Sequence, residues 1–201
     1  DSQYREIKNG NVKCSGVIPQ ISLIMGPCAG GAVYSPAITD FIFMVDSTSY
    51  MFVTGPDVIK TVTHEEISKE ELGGASTHSE KSGVSQFIVK DEDDCFERVR
   101  ELLNFIPAFN FAKRKIRPTS DPVYRDNNKI KNTVPANPKK PYDMREIILD
   151  IIDDSHFLEV HKNFAKNIIC GFGSIGGMSV GVVANQPEVQ AGVLDIDSSV
   201  K

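Results

Sequence analysis

Apolar residues fall in short unbroken runs early in this chain and at helical spacing later, and that change of pattern predicts its elements. Gln20–Met25 is a brief apolar run bounded by Pro19 and Gly26-Pro27, the pattern of a buried strand. Phe41–Val45 and Tyr50–Val53 are rich in aromatic and β-branched residues and predict two further strands, with Asp46-Ser-Thr-Ser between them. Thr63-His-Glu-Glu66 has the form of a capping box and predicts a helix start with Thr63 as its N-cap. In Asp91–Ile106, apolar residues at Cys95, Phe96, Val99, Leu102, Leu103 and Ile106 mark an amphipathic helix.

Between Lys113 and Pro141 the periodicity disappears. Five prolines and many Asn, Lys and Asp residues give that stretch too little apolar surface for a core element, so it reads as a linker. Order resumes at Tyr142. Asp143 followed by Glu146 predicts a capped helix whose apolar face is Met144, Ile147, Ile148, Ile151 and Ile152. Phe157–Val160, Asn167–Phe172 and Ser179–Ala184 follow as three strands, with the glycine-rich Gly173–Gly177 as a hairpin turn. The chain therefore divides into residues 1–112, a linker at 113–141, and residues 142–201. An N-cap pattern at Asp195 with almost nothing after it suggests that the third block is the start of a second lobe.

Composition narrows the classes. The 201 residues carry a net charge of −5 and no basic stripe, which argues against nucleic-acid binding. No apolar run approaches the roughly 20 residues that span a bilayer. The N-terminus shows no apolar stretch of signal-peptide type. Cys14, Cys28, Cys95 and Cys170 are scattered without a CxxC pair, the usage of free thiols in a reducing compartment. The four histidines sit at no metal-ligand spacing with them, so no metal site is expected.

The chemistry concentrates in Gly26–Thr39. An apolar strand leads into Gly-Pro-Cys-Ala-Gly-Gly-Ala, and Phe41–Val45 follows as the next strand. Glycines at 30 and 31 permit backbone angles closed to other residues and let a ligand approach the main chain. A helix beginning near Ala32 would turn its unpaired first amides, and its dipole, toward whatever occupies the turn. Such donors stabilise a developing oxyanion, and losing one costs about 3–4 kcal/mol of transition-state energy. By itself a Gly-Gly after a strand reads as a tight turn. Neither GxGxxG nor GxxxxGK[ST] is present. Cys28 has no histidine near it in sequence and reads as a small buried thiol rather than a nucleophile.

The run Ser15–Phe41 resembles the carboxyltransferase (β) subunits of biotin-dependent acyl-CoA carboxylases, in particular those acting on propionyl-CoA. The resemblance continues through Thr54-Gly-Pro-Asp-Val-Ile-Lys, Glu70-Glu-Leu-Gly-Gly-Ala, Tyr142-Asp-Met, Phe164-Ala-Lys-Asn-Ile-Ile-Cys-Gly-Phe, Val183-Ala-Asn-Gln-Pro and Ala191-Gly-Val-Leu-Asp-Ile-Asp-Ser-Ser. It implies an α/β fold of crotonase type, with repeated ββα units in two related lobes, the second truncated here. It implies transfer of CO2 from N-carboxybiotin to the α-carbon of a short acyl-CoA, with propionyl-CoA giving methylmalonyl-CoA. The biotin would ride on a biotin carboxylase/biotin carrier (α) partner subunit, acyl-CoA would be the substrate, and no metal would be needed. A homo-oligomer, a hexamer of β subunits, is implied, in bacterial cytoplasm or mitochondrial matrix.

By resemblance, Gly30 and Gly31 match the catalytic oxyanion turn, and Pro27, Ala29, Ala32, Gly55, Asn167 and Asn185 match substrate-binding positions. Gly55-Pro56 and Gly73-Gly74 also read as plain turns at helix ends. One departure stands out: relatives often carry basic residues in the turn around Gly171–Met178, and this chain has none there. The resemblance also implies that an upstream CoA motif and a second oxyanion turn lie outside these residues. A decarboxylase or transcarboxylase subunit of the same fold, and an inactive truncated assembly subunit, are the alternatives. An enoyl-CoA hydratase fits less well, because Tyr34, Ser35 and Pro36 follow the turn where acidic residues would be needed.

Overall fold

The computed structural model describes residues 2–113, 116–122, 124–127, 129–137 and 140–201, with the side chains of residues 2–4 left aside. It forms two compact units, Asp1–Arg100 with Pro107–Ala112, and Glu101–Ile106 with Lys113–Lys201.

In the first unit, helix α1 (Ser2–Cys14) precedes strand β1 (Ile21–Ile24). β1 pairs in parallel with β3 (Phe41–Val45), and β3 with β5 (Phe87–Val89), to give a three-stranded sheet in the order β1-β3-β5. β3 is apolar at every position and buried from Ile42 to Val45, as a strand covered on both faces must be. Phe43 is fully buried and stacks on Phe87 at 4.4 Å. A separate parallel pair joins β2 (Pro27–Ala29) to β4 (Tyr50–Phe52). The unit's core gathers Ile24, Val33, Ile42, Met44, Met51 and Ala75, with Cys28 packed against it.

Three helices follow β4. α2 (Pro56–Thr63) starts with a proline in its first turn, where the missing N–H is no loss. It ends at His64 in a left-handed conformation. The predicted capping box at Thr63 is therefore not formed. Thr63 Oγ1 donates to the Ile59 carbonyl inside α2, so that side chain closes a helix instead of opening one. The capping box belongs to Ser68 and Glu71, which open α3 (Lys69–Gly73). α4 (Ala75–Glu80) comes next, and the predicted amphipathic helix is present as α5 (Glu92–Phe105), with Cys95 and Leu102 fully buried.

Gly73 is where α3 meets β4. A Cβ there would lie 2.1 Å from the Met51 carbonyl oxygen, so only glycine allows this approach.

In the second unit, α6 (Ile130–Thr133) lies within the segment read as a linker. Arg125 ties that segment down, donating to the carbonyls of Asp150 and Ile152 and pairing with Asp121. α7 (Met144–Ile151) has the predicted N-cap, with Asp143 accepting from the Arg145 N–H at 2.9 Å. β6 (Leu158–Val160), β7 (Ile168–Ile175) and β8 (Met178–Asn185) form an antiparallel sheet in that order. The β7–β8 hairpin turns on Gly176-Gly177 alone, because Ile175 pairs with Met178 and Gly173 lies inside the strand. Ile148, Ile152 and Ile169 form this unit's core. Asp195 caps a short helix, α8 (Ile196–Val200), through a full capping box with Ser198.

Gln186 is fully buried and joins three segments of this unit. It accepts from the Met144 N–H, donates to Asp143, and its own N–H donates to the Asn167 carbonyl. Burial acts to raise the Asp143 carboxyl, but hydrogen bonds from Gln186 and Arg145, with the Arg145 charge, bring it below the ordinary carboxylate value.

Two outcomes are expected. Gly73→Ala should lower stability by about 1–3 kcal/mol, the usual penalty of forcing atoms into a filled space, read by urea unfolding. Because the folded pKa of Asp143 is depressed, its contribution is present above the ordinary carboxylate pKa and is lost as pH falls through the lowered value. Thermal unfolding between pH 6 and 3 should therefore fall less steeply in Asp143→Asn than in the parent. Parallel curves would show that the carboxylate contributes nothing to acid sensitivity.

Candidate functional site

The segment after β1 is built differently from the sequence expectation, and the difference sharpens the site. Pro27-Cys28-Ala29 is not a loop: it is β2, in register Pro27↔Tyr50, Cys28↔Met51 and Ala29↔Phe52 with β4. The Tyr50 N–H donates to the Gly26 carbonyl at 3.3 Å and starts the pairing. β2 then runs directly into a 3-10 helix over Gly30–Val33, and a second 3-10 turn follows at Pro36–Ile38. No α-helix starts near Ala32. Pro36 lacks the N–H that a continuing helix would need. A four-residue 3-10 turn carries little macrodipole, so any charge stabilisation here rests on the individual amides.

Within that turn the two glycines differ. Gly30 has φ +66°, a left-handed conformation that a side chain would strain. Gly31 has no such constraint, and a Cβ built on it meets no atom within 4 Å. The backbone at Gly31 is therefore open on its side-chain face. The first amides of a 3-10 helix have no earlier carbonyl within the helix to bond. Val33, at the end of the same turn, is buried in the core and pins it from below.

Gly55 comes to the same end of the strand pair. After β4 the chain runs through Val53 and Thr54 to Gly55, the N-cap of α2. The Val53 carbonyl oxygen lies 4.0 Å from a Cβ built on Gly30, so the two exits from the parallel pair are adjacent. Pro27 opens β2 at its other end, whereas Ala29, Gly30, Gly31, Ala32 and Gly55 belong to one locality at the carboxyl ends of two parallel strands. In open α/β sheets that is where ligands bind.

Asn167 and Asn185 belong to the second unit, and both amides are engaged inside it. Asn167 is buried, at 2% exposure, and donates to the Val193 carbonyl at 2.8 Å. Asn185 donates to the Gly192 carbonyl at 2.6 Å. Together they hold the loop that returns from β8. The glycine hairpin of this unit is likewise occupied: Asp153 accepts from the Gly176 N–H at 3.0 Å and the Gly177 N–H at 2.7 Å. A carboxylate already on those amides repels a phosphate, in keeping with the absence of basic residues in the turn.

Burial pushes the Cys28 thiol up, which keeps it protonated and unreactive at neutral pH, and its side chain packs on the core as a small hydrophobe. Among the described residues no group of three or more His, Cys, Asp or Glu could hold a metal, and no helix is long and apolar enough to cross a membrane.

Sequence reasoning missed the residues that hold β4. Gly73 touches it, Gly74 forms a bridge to Tyr50, and His78 Nε2 lies 2.6 Å from the Met51 carbonyl oxygen. The Gly73-Gly74 pair was visible as part of the family resemblance and as a turn but not as a support of β4, and His78 carried no signal, because its partner lies 27 positions away.

Residues 2–201 match the carboxyl transferase domain. The chain belongs to that family. It is similar to the propionyl-CoA carboxylase beta chain of Saccharopolyspora erythraea, 56% identical over 98% of this chain and 38% of that one. It is also similar to methylmalonyl-CoA decarboxylase subunit alpha of Veillonella parvula, 50% identical over 98% of this chain and 39% of that one. Among solved structures, transcarboxylase 12S, a hexamer crystallised with hydrolysed methylmalonyl-coenzyme A, superposes with a TM-score of 0.94 at 44% identity. That match covers 98% of this chain and 38% of the other. The α/β carboxyltransferase fold is thus shared with the carboxyl transferase family, and the chain spans under two fifths of the length of these relatives.

Asn167→Ala should remove the hydrogen bond from the buried Asn167 amide to the Val193 carbonyl, lowering stability by about 0.5–1.5 kcal/mol. A thermal midpoint equal to the parent's would show that Asn167 is not a structural tie.

Proposed function

We propose that this chain is part of a carboxyltransferase that moves CO2 from N-carboxybiotin to the α-carbon of a short acyl-CoA, with propionyl-CoA giving methylmalonyl-CoA. One observation carries the reading: an open Gly30-Gly31 turn at the carboxyl end of a parallel strand pair, in a chain 56% identical to a propionyl-CoA carboxylase beta chain. N-carboxybiotin supplies the carboxyl group and takes the α-proton, so the C–N bond lost there is balanced by the C–C bond gained at the acyl α-carbon. The Gly30 and Gly31 amides hold the oxygen on which negative charge develops, either that of the acyl thioester or that of the ureido group. No protein nucleophile takes part. The chain contributes positioning and preorganised donors, which together lower the barrier without a change of protonation on the protein.

Ala29 and Ala32 flank the glycine turn and Gly55 leaves room beside it, while Pro27 contributes by opening β2 at its other end. Asn167 and Asn185 contribute as ties for the loop after β8, so a direct contact of theirs to acyl-CoA is not part of this reading. The partner is a biotin carboxylase/biotin carrier subunit, and the β subunits assemble as a hexamer, in bacterial cytoplasm or mitochondrial matrix. The two blocks on either side of residues 113–141 serve as the end of an N-terminal lobe and the start of a C-terminal one.

A second reading has its own support in the 50% identity to a methylmalonyl-CoA decarboxylase subunit. The same turn would then stabilise the same oxyanion in the opposite direction. The partners that copurify with the native protein separate the two: an ATP-dependent biotin carboxylase supports carboxylation, and membrane subunits support decarboxylation.

The native assembly given a carboxybiotin donor and propionyl-CoA should form methylmalonyl-CoA, detected by mass spectrometry. Gly31→Val should lower kcat at least ~100-fold, the scale of losing an oxyanion donor, with oligomer size unchanged by gel filtration. Gly31 is the cleaner probe than Gly30, because its substitution adds a side chain without straining the backbone. Wild-type turnover in Gly31→Val would sink the oxyanion role.

A further inference from the structure

The Gly30 turn is made of backbone, so its geometry is set by whatever holds β2. That strand is three residues long and, among the described residues, has one strand partner, β4, also of three residues. Two short strands alone are not stable in water, so the pair needs a third support. The free edge of β4 carries no strand among the described residues. It is met instead by α3 and α4: Gly74 bridges to Tyr50, Gly73 sits against Met51, and His78 Nε2 lies 2.6 Å from the Met51 carbonyl oxygen.

The Met51 contact fixes a proton on the His78 Nε2. A carbonyl oxygen only accepts, so Nε2 carries the proton and donates. Nδ1 lies 2.8 Å from the Ser82 hydroxyl oxygen, which accepts from the Val84 N–H at 3.3 Å. The imidazole is thus clamped at both nitrogens, one to the end of its own helix and one to the middle of β4. Met51 stands in register with Cys28, two residues before Gly30.

We propose that His78 is a positioning residue for the Gly30-Gly31 turn, fixing β4, and through it β2, so that the turn's amides point at the reacting oxygen. This rests on the oxyanion reading given above. His78 touches no substrate in this scheme; it acts through Met51.

The test uses His78→Leu, which keeps bulk and removes the donor, and His78→Gln, whose amide N–H2 reaches about where Nε2 stood. Both are made in the native assembly, beside Gly31→Val. Carboxyl transfer to propionyl-CoA should fall about 10–100-fold in kcat for His78→Leu, with KM for the acyl-CoA within about threefold. His78→Gln should recover most of kcat. Hydrogen exchange of the peptide amides over residues 26–34 should quicken in His78→Leu and return toward the parent rate in His78→Gln. A wild-type kcat and unchanged exchange in His78→Leu overturn the proposal while leaving the oxyanion reading intact. So does a loss shared equally by Leu and Gln, or one that falls on KM alone, because either marks a general packing role. If Gly31→Val keeps its activity, the oxyanion reading itself fails, and faster exchange in His78→Leu would then show only a mechanical link.

Discussion

The parallel pairing of β2 with β4 is the constraint on which the site depends. Three residues of each strand align, and the Tyr50 N–H to Gly26 carbonyl bond starts the register. Because the strands run the same way, both leave the sheet at the same end. That places the Gly30–Val33 turn beside the Val53–Gly55 exit, whereas an antiparallel pair would have put them at opposite ends. The core then fixes depth: Val33 and Met51 are buried in one cluster, so the turn cannot lift away without exposing apolar surface.

Much of this frame was legible from the residues. β1, β3, β4, α5, α7 and the β7–β8 hairpin fall where hydrophobic period and turn chemistry predict them. Failures occur where a contact far along the chain decides. Pro27-Cys28-Ala29 has no apolar run and reads as turn, yet it is a strand because Tyr50–Phe52 offers it an edge. Thr63 has the spacing of a capping box, but its hydroxyl is spent on Ile59 within α2, and Ser68 takes the role five residues on. The helix expected near Ala32 is cut to a 3-10 turn by Pro36, a local signal that was present in the sequence and outweighed by the strand-turn-helix expectation.

The site shows the same division. Gly30 and Gly31 stand out in the sequence as candidates because a series of motifs in fixed order marks them. Their distinct characters do not: one has a positive φ and the other an open face, and that difference comes from the backbone path. Asn167 and Asn185 matched family positions equally well, but their amides are committed to the Val193 and Gly192 carbonyls. A side-chain amide at a strand end looks the same in sequence whether it faces a ligand or ties a loop. Only the partner tells them apart.

A donor made of backbone has no rotamer to misplace and no proton to lose, which suits it to hold an oxyanion over a wide pH range. The same property moves the burden elsewhere. The precision of the Gly31 amide equals the precision of the chain that carries it, and that chain is three residues of strand on three residues of strand. The polar contacts that matter to such a site are therefore those made by its supports. In this unit they converge on Met51, whose side chain lies in the core and whose carbonyl accepts a hydrogen bond from His78 Nε2 while Gly73 closes over it. On the oxyanion reading proposed above, changes at these positions alter the chemistry without touching a substrate, since an amide displaced by a fraction of an ångström is a weaker donor to the charge that forms.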